Sequence, residues 1–206
     1  VIFMSNNGGD CINDQNGGIK HTHNLPLREG KGSVYEGGIR VPMIVCWGDK
    51  IAKGSRCDVP VMTEDFYPTI MELAGIKDYE PVQTLDGQSI VPLFMGRKTE
   101  VDENREVLSH FPHQWRPEVN EDIDYMTALR KGDWKLIYRH RTQELELYNL
   151  EEDLSEKNNL AEQNPEKLAE MAKAMTAELM EKEALMPTFR ATGEAIPYPD
   201  QLVNRR

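Results

Sequence analysis

The chain has 206 residues, enough for one ordinary domain with its own core or for one and a half small ones. Its formal net charge of −11 excludes the broad basic surface that nonspecific nucleic-acid binding needs, although a local cluster of cations can still meet an anionic substrate. No run of about 18 apolar residues is present, so no membrane span is expected. Cys11, Cys46 and Cys57 form no metal-binding spacing and cannot all pair.

Residues 1 to 4, Val-Ile-Phe-Met, read as a short buried strand. The start carries no basic stretch followed by an apolar core and a cleavage site, and it reads as a chain whose beginning is missing. Asn6, Asn7, Gly8 and Gly9 end the strand. Polar side chains just past the carboxyl end of a strand in an α/β sheet are where ligands sit, and the same residues also suit a plain Asn-Gly turn. Residues 10 to 23 are polar and irregular, with Gly17-Gly18 and the pair His21 and His23. Two histidines at that spacing share one face of a strand and suit a metal, an anion or solvent. Residues 24 to 42 then carry four glycines, Gly30, Gly32, Gly37 and Gly38, around Lys31, with Arg28, Glu29 and Glu36 as charged neighbours. This is the composition of neither a helix nor a strand. It suits a tightly folded backbone that points one cation at something, or a surface loop with a solvated lysine.

Val41 to Trp47 is the next strand, with Pro42 at its start, where a missing N–H is tolerated. Asp65 reads as the cap of a helix whose residues Phe66, Ile70, Leu73 and Ala74 form a core-facing side, and Gly75 as its stop. Residues 77 to 104 are loop-like. Glu106 to His110 reads as a strand leading into His110-Phe-Pro-His113-Gln-Trp115. Those histidines and aromatics suit contact with a sugar or aryl ring, and equally an edge-of-core cluster. A three-strand meander follows over Tyr125 to Arg130, Trp134 to Tyr138 and Leu145 to Tyr148, its first gap a glycine hairpin turn, Lys131-Gly132-Asp133. Asn164 as cap and Pro165 at the first position open the last helix, which buries Leu168, Met171, Ala172, Met175 and Leu179. Pro187 to Arg206 is expected to lie extended on the surface.

The run Gly-Lys31-Gly-Ser-Val-Tyr-Glu-Gly-Gly-Ile-Arg-Val-Pro resembles the lysine segment of the formylglycine-dependent sulfatases, arylsulfatase-like enzymes of the alkaline phosphatase superfamily. The resemblance implies that Lys31 binds the sulfate group of a substrate and serves catalysis. Ser5-Asn6-Asn7-Gly8-Gly9 is similar to the family's Ser-Asp-Asn-Gly-Gly, whose Asp and Asn ligate a divalent metal, calcium above all. Asn7 matches and Asn6 does not: a neutral amide stands where the family has a carboxylate, which implies a cation site weakened or absent in this chain alone. The His110-x-Pro-His113 run resembles one near the substrate entrance of bacterial sulfatases, so His113 is a candidate substrate contact. Leu85-Asp86-Gly87, Pro92-Leu93 and the meander are further points of likeness.

The resemblance maps the chain onto the C-terminal half of a sulfatase. It implies an α/β fold: the last part of a mostly parallel sheet, plus a small C-terminal antiparallel sheet with a packed helix. Residues 1–104 would be the end of the catalytic domain and 105–206 the smaller subdomain. The family's nucleophile is a cysteine in Cys-x-Pro-Ser-Arg or Cys-x-Ala-Ser-Arg, and none of Cys11, Cys46 or Cys57 has those neighbours. The expectation is a sulfuric ester hydrolase fragment, inactive alone, whose partners are a sulfated small molecule or glycan and the missing N-terminal half. Relatives of this bacterial look are exported, which implies a periplasmic or secreted protein. A non-catalytic binding or structural domain on a decayed sulfatase scaffold is the alternative, and a phosphoester hydrolase of the same superfamily a third.

Overall fold

The structure is a computed structural model that describes residues 1–10, 12–13, 19–20, 24–76, 78–114 and 123–203. Cys11, Gly17-Gly18, His21, His23 and Trp115 lie outside the described residues. In chain order the elements are β1 (Ile2–Met4), β2 (Ile12–Asn13), β3 (Ile19–Lys20), α1 (Glu36–Ile39), β4 (Met43–Val45), α2 (Phe66–Leu73), α3 (Val91–Phe94), β5 (Glu106–Phe111), β6 (Met126–Lys131), β7 (Trp134–Arg139), β8 (Glu144–Asn149), α4 (Pro165–Glu181) and α5 (Pro199–Val203). The class is α/β, as expected. The chain divides into two compact units, one of residues 1–4 and 43–105, the other of residues 5–42 and 106–206.

The second unit is built on an antiparallel sheet in the order β5-β6-β7-β8. The hairpin turn falls on Gly132 and Asp133, with Lys131 facing Trp134 and Gly132 at a φ of 56°. Both faces of this sheet are covered, so β6 to β8 bury polar residues such as Thr127, Lys135 and Glu146 as well as apolar ones. Alternate residues Leu129, Leu136, Tyr138, Leu145 and Leu147 pack against Leu168, Met171, Ala172, Met175 and Leu179 of α4. The opposite set, Met126, Ala128, Ile137 and Tyr148, packs against Val34 and Tyr35 of the lysine segment. The helical stripe of α4 is buried as its spacing predicts. Asn164 stands at its start but does not cap it through the side chain, whose Nδ2 donates to Leu160 O at 3.5 Å.

The tail departs from expectation. Thr188 bridges to Ala195, Ile196 is buried in the α4 core, and α5 is tied to α4 by Thr176 Oγ1 donating to Asp200 at 2.9 Å. Turns and bridges this short leave no periodicity to read.

In the first unit β1 and β4 pair antiparallel, with Phe3 facing Ile44 and both largely exposed. The strand at residues 2–4 is thus mostly exposed where a buried one was expected, and three further expectations are corrected here. In α2 the buried residue is Thr69, and Ile70 is 55% exposed. Asp65 does not cap α2 through its side chain. It is fully buried, paired with both terminal nitrogens of Arg105, and also accepts from Met62 N at 2.7 Å and Gln88 N at 3.0 Å. Within 77–104, Val91–Phe94 forms a short helix where a loop was expected.

Candidate functional site

The site is assembled within the second unit from the lysine segment, the Asn6-Asn7 turn and the end of β5. The turn and the segment meet backbone to backbone. Gly8 N donates to Gly38 O at 2.8 Å and Lys31 N to Gly9 O at 3.1 Å, while Asn24 Nδ2 donates to Gly9 O at 2.8 Å and Glu29 O at 3.0 Å. This approach requires glycine: a Cβ on Gly8 would lie 1.7 Å from Gly37 O, and one on Gly37 2.2 Å from Glu29 O. Replacing Gly8 with alanine forces the turn off the segment. We expect a stability loss of about 1–3 kcal/mol, read from the urea midpoint.

The segment is held at both ends on the sheet by buried charge. Before Lys31, the Arg28 guanidinium stacks 3.9 Å from the Tyr35 ring centroid and donates to Tyr148 Oη at 3.0 Å, Glu156 O at 3.2 Å and Glu146 Oε2 at 3.3 Å. Tyr35 Oη donates to Glu146 at 3.0 Å. Burial and then the Glu146 charge raise the Tyr35 and Tyr148 hydroxyls far above the ordinary tyrosine range, so both stay protonated donors. After Lys31, the wholly buried Lys135 sits 2.9 Å from Glu36 Oε1 and 2.8 Å from Glu156 Oε1. Glu36 also takes Arg40 Nε at 2.7 Å, and its own N–H donates to Glu156 Oε2 at 2.8 Å. Burial disfavours both carboxylates. Lys135 and Arg40 outweigh it at Glu36, which is lowered, whereas Glu156 is raised. Neither cluster was foreseen: partners 99 to 128 residues apart leave no local signal.

Asn7, Lys31 and His113 line one open cleft of about 490 Å³, with Val34, Ile39 and Phe111 as its apolar walls. Asn6 is exposed and not among the lining residues. His113 is exposed, its ring stacked at a tilt on Phe111 with centroids 4.1 Å apart. His110 also lines the cleft, and its ring nitrogens are engaged, Nδ1 with Thr127 Oγ1 at 2.7 Å and Nε2 with Leu185 O at 3.0 Å. Burial lowers its pKa. The arrangement can hold an anionic group at Lys31 while an apolar or aromatic ring lies along Phe111 and His113.

A divalent cation does not fit the donors present by themselves. A calcium ion takes about six to eight oxygens, carboxylates prominent among them. Asn6 and Asn7 offer two neutral amides, and among the described residues no group of three His, Cys, Asp or Glu could hold a metal.

Comparison with known proteins identifies relatives of the whole segment. Residues 30–184 match the family model described as N-sulphoglucosamine sulphohydrolase, C-terminal. A sulfatase of Formosa agariphila is 35% identical over 209 residues, which cover 97% of this chain and 36% of that protein. Human arylsulfatase A is 38% identical over 96 residues, 47% of this chain and 18% of that one. Among solved structures, that of Ps i-CgsB in complex with k-i-k-neocarrahexaose superposes with a TM-score of 0.65 at 28% identity, covering 99% of this chain and 40% of that chain. The chain thus spans about a third of the length of the Formosa relative. It belongs to the N-sulphoglucosamine sulphohydrolase C-terminal family, and its sequence and fold correspond to the C-terminal portion of a sulfatase.

Proposed function

We propose that this chain supplies the sulfate-binding lysine and part of the substrate cleft of a sulfuric ester hydrolase, and that it does not turn over substrate alone. The observation that carries this is the convergence of Lys31, Asn7 and His113 on one cleft. Lys31 is a fixed positive charge where the sulfate oxygens would lie, in a cleft whose apolar walls strengthen its field. Phe111 and His113 present a flat face to the ring that bears the ester. The substrate class is a sulfated sugar or a small aryl sulfate. Asn6 and Asn7 contribute amide oxygens to a divalent-cation site, calcium first, whose carboxylates come from an upstream portion of the kind its longer relatives have room for. The same portion brings the formylglycine nucleophile and is the partner of this chain. The exposed faces of Phe3, Ile44 and Ile70 are consistent with such a partner.

The purified chain should release no 4-nitrophenol from 4-nitrophenyl sulfate, with or without calcium. In a full-length sulfatase carrying this segment, Lys31→Ala should lower kcat/KM by about 10²–10³. Turnover by the 206-residue chain, or an unaffected Lys31→Ala enzyme, would sink the proposal. Asn6, where the family's metal-binding aspartate stands, favours the second reading, a binding domain on a scaffold that has lost its chemistry.

A further inference from the structure

We infer that Lys135, with Glu36 and Glu156, is a positioning residue for Lys31: this buried ion cluster fixes the lysine segment on the sheet and so sets the cleft's affinity for a sulfate group without lining the cleft. The inference rests on the reading of Lys31 as the sulfate-binding residue. Lys135 projects from the face of β7 that Val34 and Tyr35 cover, in register with buried Ile137 two residues on. A lysine with no exposed surface is rare unless paired, and this one is shared between two carboxylates of different origin. Glu36 belongs to the lysine segment itself, and Glu156 follows β8 on the sheet. The Glu36 N–H to Glu156 bond adds a second, backbone tie between the same two places.

The geometry extends from this tie to Lys31. Glu36 opens the short helix α1, whose Gly37 N donates to Arg28 O at 2.8 Å and whose Gly38 O accepts from Gly8 N. Ser33 N donates to Gly30 O, closing a turn that contains Lys31, and Gly38 N to Tyr35 O, closing the next turn after it. Arg28 is separately bound to Glu146, Tyr148 and the Glu156 carbonyl. Lys31 therefore hangs between two anchors on one sheet face. Lys31, Gly38 and His113 line the cleft, and Gly8 meets Gly38 at its edge, so the position of the segment on that face sets the shape of the cleft. Releasing the Glu36 anchor frees one end of the span and lets the lysine wander, while the core on the α4 side of the sheet is untouched.

Lys135→Met alone strands two carboxylates beside Arg40 and is expected to unfold the unit in part. Lys135→Met with Glu156→Gln removes one charge of each sign and leaves the Glu36–Arg40 pair intact, and Glu156→Gln alone keeps the shape of the cluster. In the double variant of the full chain, hydrogen exchange of the Gly37 and Gly38 amides should be about tenfold faster or more, with β6 and β7 amides as protected as before. Its affinity for inorganic sulfate, followed by NMR titration, should fall about tenfold, and Glu156→Gln should fall between it and the unaltered chain. Unchanged exchange at Gly37 and Gly38 in both variants would overturn the inference, whatever sulfate does. A chain that binds no sulfate, or a Lys31→Gln variant that binds it equally, would instead refute the reading of Lys31, leaving exchange to decide the positioning.

Discussion

Replacing Arg105 with methionine should cost the first unit about 3–5 kcal/mol, the expected penalty for removing one partner of a buried ion pair. Asp65 is wholly inaccessible, and Arg105 supplies two of the four hydrogen bonds its carboxylate accepts. The other two come from Met62 N and Gln88 N, so this one carboxylate joins residues 62, 88 and 105. Gly87, beside Gln88, is packed so closely that a Cβ there would lie 2.1 Å from Glu64 O. With Arg105 gone, the carboxylate keeps its two backbone donors and loses its counter-charge in a buried place, which destabilises the junction. Asp65→Asn with Arg105 retained should be similarly damaging, because the guanidinium is then left without its partner. Urea unfolding checks both. A loss under about 1 kcal/mol for Arg105→Met would show that the pair is solvated and weak.

Acid should destabilise the second unit by a route that His140→Gln removes. His140 is 2% exposed, and its Nε2 is 2.8 Å from Thr127 Oγ1. Nδ1 is buried with no partner among the described residues. Since His110 Nε2 faces the Leu185 carbonyl and must donate, its Nδ1 accepts from the Thr127 hydroxyl, which accepts in turn from His140 Nε2–H. That order of donors needs the His110 ring neutral, and protonating His140 would put a second N–H at its buried, unpartnered Nδ1. Burial, and then the nearby His110, lowers the His140 pKa to about 3 from 6.5. The sign follows: a folded pKa below the unfolded one gives stability that is present above the unfolded value and lost as pH falls toward the folded value. Between about pH 6.5 and about pH 4.5 the loss from this one group is about 2–3 kcal/mol. Glutamine can donate to Thr127 and does not titrate. His140→Gln should therefore flatten the fall in urea midpoint between those two pH values by that amount, and an unchanged slope would show that His140 is protonated in the fold.

The parts of this protein that could be read from sequence are those set by local period. The meander and α4 repeat apolar residues at spacings of two and of three to four, and Gly132 marks the hairpin. Asn7, Lys31 and His113 were named from short motifs, and they do fall on one cleft. The clusters that hold the cleft in place were invisible for a physical reason. Arg28, Glu36, Lys135, Glu146 and Glu156 each look like solvated surface charge until a partner about a hundred residues away is placed beside them. Asp65 is the same case at shorter range, its role as a cap overridden by Arg105. Ile70 failed in the opposite sense: its helical phase suggested burial, and 55% of it is exposed. Periodicity reports which face is apolar and not whether anything in this chain covers it.

The central claim is that Lys31 binds a sulfate group in the cleft it shares with Asn7 and His113. Titrating inorganic sulfate into the 206-residue chain while following its amide and side-chain NMR signals tests it most directly. The account predicts saturable shifts confined to residues around Lys31, Asn7 and His113, lost in Lys31→Ala with the rest of the spectrum unmoved. Shifts elsewhere, or an unaltered titration in Lys31→Ala, would contradict it.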